Sequence, residues 1–179
     1  MKIENSIFLL LDMQERLVPA MYEKEKLEKS TEILLKGINE LSIPVIYTEQ
    51  YPKGLGNTID SLKKELKDAK YFSKVEFSAF DTIKEEILKL KDKSRDCVIV
   101  SGAETHICVY QTIRALIENG FKVYVPFETV GSRSRCNIEN GLSLIRELGA
   151  SVTNVETILF DLIKTSKHES FKAISTLIK

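Results

Sequence analysis

Cysteine and histidine are scarce in this sequence, and the few present do not follow the spacing of structural sites. The 179 residues include three cysteines, Cys97, Cys108 and Cys136, and two histidines, His106 and His168. Three cysteines without a CxxC pair supply neither an even set of disulfides nor a dithiol redox centre. At least one thiol must be free, and we expect all three to be free.

Long apolar runs and an excess of one charge are also missing. The run from Ile7 to Leu11 is too short for the core of a signal peptide, and no stretch approaches the roughly 18 apolar residues of a membrane span. The 26 basic residues balance 26 acidic ones, so we expect no attraction to nucleic acid or to an anionic membrane. A cytoplasmic protein is predicted, and a nuclease is disfavoured.

Six short apolar runs alternate with patterns of helical periodicity. In chain order the runs are SIFLLLD, PVIYTE, AKYFSK, DCVIVSG, KVYVPFE and ASVTNVE. The first has no polar alternation, which is typical of a strand buried on both faces. Strands that alternate with helices imply right-handed crossovers and a parallel sheet. The sequence therefore predicts one α/β domain, residues 1–179: a doubly wound, six-stranded parallel sheet in the order 3-2-1-4-5-6 with helices on both faces.

Three chemically different side chains follow strands of this predicted sheet. Asp12 ends the first strand, Lys74 follows the third, and Cys108 comes shortly after the fourth. Ligands bind such folds at the carboxyl ends of the strands. Because the predicted order places strands one and four side by side, Asp12 and Cys108 should face one cleft.

Each of these residues also has an ordinary structural interpretation. An aspartate after a strand is often a turn former, a lysine is often exposed, and a free cysteine is often buried packing. Together, however, they meet a chemical need. A helix N-terminus and a nearby cation lower the pKa of a thiol nucleophile, and a carboxylate within reach can take and return its proton. From position alone, catalysis and core packing both stay open for Cys108.

Three ordered motifs resemble those of a known superfamily. The segments LLLDMQERL, KVEFSAF and VSGAETHICVYQTIRALIENGFKVYV resemble the isochorismatase-like cysteine hydrolases, which include nicotinamidases and N-carbamoylsarcosine amidohydrolase. The resemblance runs nearly end to end. TEQYPKGLGNT, VGSRSR and the tail KHESFKAISTLIK look most like the isochorismatase domain-containing subgroup.

The resemblance implies a role for each member of the trio. It makes Cys108 the nucleophile, Asp12 the general base and later acid, and Lys74 the cation that favours the thiolate. It also implies a cis peptide bond between Ala103 and Glu104, which aims the backbone N–H groups of Glu104 and Cys108 at a developing oxyanion.

The implied reaction is hydrolysis through a thioester acyl-enzyme. Cys108 would attack the carbonyl of a small amide, ureido or ester substrate, the leaving group would take a proton from Asp12, and water would complete the reaction. True isochorismatases, which cleave a vinyl ether, resemble this family in fold but lack the cysteine. Cys108 therefore argues against that activity.

The sequence departs from nicotinamidases at their metal site, which is built from an aspartate and histidines near the second strand. The corresponding stretch, YTEQYPKGLGNT, contains neither residue type. We therefore expect no catalytic metal and no cofactor, and nicotinamidase is a weak alternative. A second alternative is a catalytically silent binding or interaction module on the same fold.

Several other residues receive provisional assignments. Candidates for lining the pocket are Gln14, Gln50, Tyr51, Phe77 and Thr105, although Phe77 could instead pack beneath it. Arg133 and Arg135 could bind a substrate carboxylate, but exposed surface positions are the simpler interpretation.

The remaining histidine and cysteines are expected to be structural. His106, two residues before Cys108 in a helix, should face another direction and serve packing or an oligomer contact rather than general base catalysis. Cys97 should be inert core, and Cys136 should pack at a helix start or lie near the cleft mouth. A homo-oligomer is expected from the habit of the family and from late apolar residues, namely Ile158, Leu159, Phe160 and Ile163.

Overall fold

A parallel β-sheet forms the centre of the protein, in a computed structural model that describes all of residues 1–179. The strands are β1 (Ser6–Leu11), β2 (Val45–Gln50), β3 (Lys70–Lys74), β4 (Cys97–Ala103), β5 (Lys122–Pro126), β6 (Val130–Gly131) and β7 (Ser151–Thr153). Their order is β3-β2-β1-β4-β5-β7, and β6 pairs separately with β4. The predicted parallel sheet and its order are confirmed, the predicted sixth strand being β7.

The strand count differs from the prediction because β6 was not foreseen. It contains two residues, which pair in parallel with Gly102 and Ala103 of β4. Two residues are too few to produce a periodic pattern of apolar side chains, so the sequence predicts six strands where the sheet has seven.

Helices cover both faces of the sheet, as predicted. They are α1 (Lys24–Glu40), α2 (Pro52–Leu55), α3 (Asp60–Lys63), α4 (Phe80–Asp92), α5 (Tyr110–Glu118), α6 (Arg135–Glu147), α7 (Val155–Ile163) and α8 (Phe171–Ile178). Alternate residues of β1 point to the two sides. Phe8 and Leu10 pack in a core with α1, α7 and α8, whereas Ile7, Leu9 and Leu11 pack in a core with α4, α5 and α6. No helix is long and apolar enough to cross a membrane.

A glycine allows β1 and β4 to approach closely at their carboxyl ends. Leu11 is paired with Gly102, whose φ of 133° is rare for residues with a side chain. A Cβ atom at Gly102 would lie 2.0 Å from the carbonyl oxygen of Leu11. Only glycine fits here, and the contact brings the chain after β1 beside the chain after β4.

Three details of the helices differ from the sequence-based expectations. The segment IDSLKKELKD, whose composition predicts a short helix, is helical only over α3, and THICVYQTIRALIENG, whose pattern predicts one helix, begins with a five-residue π-helical turn, Thr105–Val109, before α5. The apolar residues of α7 proposed for an oligomer contact are largely used inside the molecule. Ile158, Leu159 and Ile163 are buried in the core, so they do not support an oligomer.

Candidate active site

The carboxyl ends of β1, β2 and β3 bring Asp12 and Lys74 together. Lys74 Nζ donates to Asp12 Oδ2 at 2.7 Å, and neither side chain is exposed to solvent. Asp12 Oδ1 accepts a 2.7 Å hydrogen bond from Thr48 Oγ1 on the intervening strand. Both oxygens of the buried carboxylate are therefore held in place.

Cys108 lies next to this pair in the π-helical turn that follows β4. The residue is 7% exposed, and the Asp12 carboxylate and the Lys74 ammonium group both act on the pKa of its thiol. Burial and then the Asp12 charge raise the pKa of Cys108 to about 12, against the opposing effects of Lys74 and the Glu104 backbone N–H.

The expectation of a depressed thiol pKa is therefore wrong in its net direction. Lys74 does favour the thiolate, but burial and Asp12 together outweigh it. Such a thiol is protonated at neutral pH, and it would become a nucleophile by losing its proton during attack. Asp12 is the charged group with the largest effect on the pKa of this thiol.

The Lys74 ammonium group is surrounded by oxygen acceptors. Besides Asp12 it donates to Gln50 Oε1 at 2.6 Å and to the backbone carbonyl oxygens of Glu76 and Phe77, each at 3.2 Å. An ammonium group has three protons. Four acceptors therefore occupy it fully, and only one of them is charged.

A second group of contacts holds the turn between β4 and Cys108. The Ala103–Glu104 peptide bond is cis. The Glu104 side chain accepts hydrogen bonds from the backbone N–H and the Nε of Arg133, both at 3.1 Å. His106 Nδ1 lies 3.0 Å from Ser132 Oγ. Ser132 and Arg133, which follow β6, thus hold the turn in place. The contact of His106 is with Ser132 rather than with Cys108.

Helix α6 packs directly against the same turn through a glycine. A Cβ atom at Gly141 would lie 2.9 Å from both His106 N and Thr105 C, which are main-chain atoms and cannot move away easily. Thr105 itself is fully buried, and its hydroxyl has no hydrogen-bond partner. Thr105 therefore does not line an open pocket, contrary to the sequence-based assignment.

The other four candidates for pocket lining fall into two pairs. Gln14 is fully buried, and its amide binds Gln50 N, Gln50 O and Gly56 O, so it holds the chain rather than facing open space. Gln50 binds Lys74. Tyr51 and Phe77 are 54% and 55% exposed. Tyr51 lines a cleft of about 410 Å³ along the β3 edge, shared with Pro52, Lys53, Ser73, Lys74, Val75, Glu76 and Thr82.

The end of β2, which begins the stretch that corresponds to the nicotinamidase metal site, contains a carboxylate that already has hydrogen-bond partners. Glu49 Oε1 accepts from Thr58 N at 2.6 Å and from Thr58 Oγ1 at 2.9 Å, and Oε2 accepts from Tyr71 Oη at 3.0 Å. No three His, Cys, Asp or Glu side chains are grouped as metal ligands. Metal independence stays a prediction that activity measurements must test.

The two other cysteines lie away from this site. Cys97 is buried at the start of β4, and burial raises its pKa to about 11. Cys136 is exposed in the first turn of α6. Arg135 is paired on the surface with Glu139 at 2.8 Å.

Sequence reasoning missed the partners that position the trio. Thr48 could have been found from its place near the carboxyl end of β2, the strand between those that carry Asp12 and Lys74. Ser132 and Gly141 carry no local signal, because their roles depend on how β6 and α6 pack onto the turn.

The comparisons with known proteins agree with this fold. The sequence pattern of the Isochorismatase domain matches residues 6–157. The chain belongs to the isochorismatase family. It is 34% identical over 175 residues to "Isochorismatase family protein 1A" of Dictyostelium discoideum, covering 96% of this chain and 85% of that protein.

Solved structures of the same fold superpose over nearly the whole chain. The MAR1 ribonuclease of Caenorhabditis elegans is 34% identical, with a TM-score of 0.94 over 99% of this chain and 91% of that one. The YcaC protein of Escherichia coli, described as an octameric hydrolase of unknown specificity, is 22% identical, with a TM-score of 0.91 over 99% of this chain and 88% of its own. Membership of this family supports a hydrolase as the general class of activity.

Proposed function

We propose that this protein is a metal-independent cysteine hydrolase that cleaves a small amide, ureido or ester substrate. The observation that carries the proposal is the fully buried ion pair of Lys74 with Asp12 at 2.7 Å, placed where its charges act on the buried thiol of Cys108. A packing cysteine needs no such neighbours, whereas nucleophilic catalysis needs a base within hydrogen-bonding reach.

The proposed first step forms the acyl-enzyme. As the Cys108 Sγ–C bond forms at the substrate carbonyl carbon, the thiol proton moves to Asp12. The carbonyl oxygen becomes an oxyanion, for which the Glu104 and Cys108 backbone N–H groups are the proposed donors. The tetrahedral intermediate then collapses, the C–N or C–O bond breaks, and Asp12 returns the proton to the departing amine or alcohol.

Hydrolysis of the thioester completes the cycle. Asp12, again a carboxylate, takes a proton from water as the water oxygen attacks the thioester carbonyl. The C–S bond then breaks, the carboxylic acid leaves and the proton returns to the Cys108 thiolate. Throughout the cycle Lys74, whose Nζ lies 2.7 Å from Asp12 Oδ2, keeps the Asp12 carboxyl group in position.

The burial of the site supports a small substrate. Asp12 and the Lys74 side chain are fully buried and Cys108 is 7% exposed, so a compact carbonyl group is a better match than a polymer. The C. elegans relative is named a ribonuclease. This chain has no net positive charge to bind RNA, and the trio is better suited to acyl transfer.

A substrate screen tests the proposal. Purified protein is incubated with panels of amides, ureido acids and small esters, and hydrolysis is compared between wild type, Cys108→Ala and the matched control Cys97→Ala. We expect hydrolysis by wild type and by Cys97→Ala alone, with a thioester adduct on Cys108 detectable by mass spectrometry. Hydrolysis that survives in Cys108→Ala would overturn the assignment of the nucleophile.

The alternatives and the remaining expectations are separated by further measurements. A binding module without activity would bind members of the panel but hydrolyse none, and a nicotinamidase would release ammonia from nicotinamide.

Homo-oligomerisation stays a proposal, and the octameric E. coli protein of the same fold is consistent with it. Light scattering that shows only monomer at micromolar concentration would contradict it. Cytoplasmic location stays a prediction, to be tested by cell fractionation.

A further inference from the structure

The uncharged acceptor that lies closest to Lys74 Nζ is a side chain rather than a backbone carbonyl. Gln50 Oε1 lies 2.6 Å from Lys74 Nζ, closer than either backbone carbonyl at 3.2 Å. We infer that Gln50 is a positioning residue that holds the Lys74 ammonium on Asp12 while adding no charge. The inference rests on the proposed function.

The orientation of the Gln50 amide is determined by its second partner. Gln50 Nε2 donates to the carbonyl oxygen of Val75 at 2.6 Å, so Oε1 is the atom that must face Lys74. The reverse orientation would place an NH₂ group against an ammonium group and two carbonyl-type oxygens against each other. The amide therefore has one satisfactory orientation.

The main chain of Gln50 is fixed as well. Gln14 Oε1 accepts from Gln50 N at 2.7 Å, and Gln14 Nε2 donates to Gln50 O at 3.0 Å and to Gly56 O at 2.7 Å. Gln14 follows β1 two residues after Asp12. The segment after β1 that contains Asp12 thus also fixes Gln50, which binds Lys74.

Neutrality at position 50 matters because the charges around the thiol are few. They come from Asp12 after β1, Lys74 at the end of β3 and Glu104 within the turn, and the Glu104 carboxylate is bound by Arg133. One anion and one cation therefore face each other beside Cys108. A carboxylate at position 50 would share Lys74 and weaken the effect of its charge on the thiol.

The two variants Gln50→Glu and Gln50→Met separate positioning from packing. Met has a similar length but cannot accept a hydrogen bond from Lys74. Glu accepts from Lys74, repels the Val75 carbonyl oxygen when ionised, and when protonated donates to that oxygen as the amide does. Asn39→Asp makes the same amide-to-acid change at the exposed end of α1 and serves as the control for added charge.

The probe is iodoacetamide, and the measured quantity is the alkylation rate of the Cys108 peptide, by mass spectrometry, as a function of pH. We expect Gln50→Met to react more slowly than wild type by one factor at every pH, about tenfold for each unit by which the thiol pKa rises. For Gln50→Glu the ratio to wild type should be low at alkaline pH and rise toward one as the pH falls and the introduced carboxylate is protonated. Asn39→Asp should match wild type.

Two results would overturn the inference: a wild-type rate in Gln50→Met, or a ratio for Gln50→Glu that does not change with pH. If Gln50→Glu does not fold, as judged by circular dichroism, the rate of Gln50→Met decides alone. Asp12→Asn and Lys74→Met are measured in the same assay. If neither changes the Cys108 rate, the proposed function fails; if both do and the Gln50 variants do not, only the inference fails.

Discussion

Two buried cysteines, one at each end of the β4 region, both lie near a lysine–aspartate ion pair. At the amino end of β4, Cys97 lies near the ion pair of Lys122 with Asp96 at 2.9 Å. In the turn that follows the other end, Cys108 lies near the ion pair of Lys74 with Asp12 at 2.7 Å. Composition therefore does not distinguish the two sites.

The difference lies in the burial of the ion pair. The Lys122 and Asp96 side chains are 68% and 33% exposed, whereas those of Lys74 and Asp12 are fully buried. An exposed pair is screened and mobile, and it contributes little. A buried pair is held by its hydrogen bonds, and removal of either partner leaves an uncompensated charge. Only Asp12 is thus fixed as a base for a thiol, and a list of neighbouring residue types would not reveal this.

The largest expected effect is on turnover when each thiol is removed. Cys108→Ala should abolish hydrolysis of any substrate that the screen identifies, because no other nucleophile is in the site. Cys97→Ala should leave the rate unchanged. Steady-state kinetics of both variants checks this, with thermal melts to show that they fold. Equal loss in the two would remove the distinction between the two ends of β4.

Replacement of each aspartate by asparagine should give the next largest effect on turnover, at Asp12 but not at Asp96. Asp12→Asn removes the proton acceptor, and general acid–base catalysis is worth about 100- to 10,000-fold, so turnover should fall by that order. The pKa of Cys108 should fall too, because Asp12 raises it. Asp96→Asn is the matched control and should retain wild-type turnover. Single-turnover rates and the pH dependence of Cys108 alkylation measure the two effects.

Replacement of each lysine by methionine should act mainly on the free energy of unfolding, more at Lys74 than at Lys122. Lys74→Met leaves the Asp12 charge buried without its partner, and we expect a loss of about 3 to 5 kcal/mol in the free energy of unfolding. Lys122→Met breaks an exposed pair and should cost at most about 1 kcal/mol. Urea unfolding measures both. In Lys74→Met the pKa of Cys108 should also rise, since Lys74 lowers it. If the pH dependence of Cys108 alkylation does not change in this variant, Lys74 has no electrostatic effect on the thiol.

The fold and the meeting of the trio could be predicted from sequence because both follow from strand order. A continuous apolar run such as SIFLLLD indicates a buried parallel strand, and the carboxyl ends of neighbouring strands must share an edge. Asp12, Lys74 and Cys108 are therefore brought to one edge by topology alone.

The sign of the thiol pKa shift could not be predicted, because it depends on the balance of opposing contributions. The sequence places a cation and a carboxylate near Cys108 but does not give their distances or the burial of the sulfur. Contacts made by short or irregular segments were equally hidden. Gly141 contacts the π-helical turn that contains Cys108 only because α6 packs there, and Gln50 is oriented toward Lys74 only because Gln14 and Val75 hold it.

The free energy of unfolding should fall at alkaline pH because both buried thiols resist ionisation in the folded state. Cys97 offers the simpler test of this expectation. Its pKa rises from 9.0 to about 11 in the folded state, so folding favours the protonated thiol. This contribution is fully present below pH 9 and is lost as the pH rises toward 11, by about 2 to 3 kcal/mol at 1.36 kcal/mol per unit. Cys97→Ala should lack that loss.

Urea unfolding of wild type and Cys97→Ala at several pH values measures the difference. The pKa values of Tyr47 and Tyr71 are also raised, but neither tyrosine is coupled to Cys97, so their contributions cancel between the two proteins. The pKa of Tyr124 is raised in part by the Cys97 charge, so the comparison reports the titration of Cys97 together with its effect on Tyr124. Free energies of unfolding that run parallel between pH 9 and 11 would show that the Cys97 thiol is not protected by burial.

The smallest expected effect is that of a chelator, which should leave turnover unchanged. If the difference between the two ends of β4 comes from the buried Lys74–Asp12 pair, no metal is needed to activate Cys108. The carboxylate near the end of β2 is consistent with this, since both oxygens of Glu49 already accept hydrogen bonds, from Thr58 and Tyr71. Turnover is measured before and after dialysis against a chelator. Loss of activity that zinc or iron restores would show that the stretch from Glu49 to Thr58 holds a metal, and that the triad alone does not explain the reactivity of Cys108.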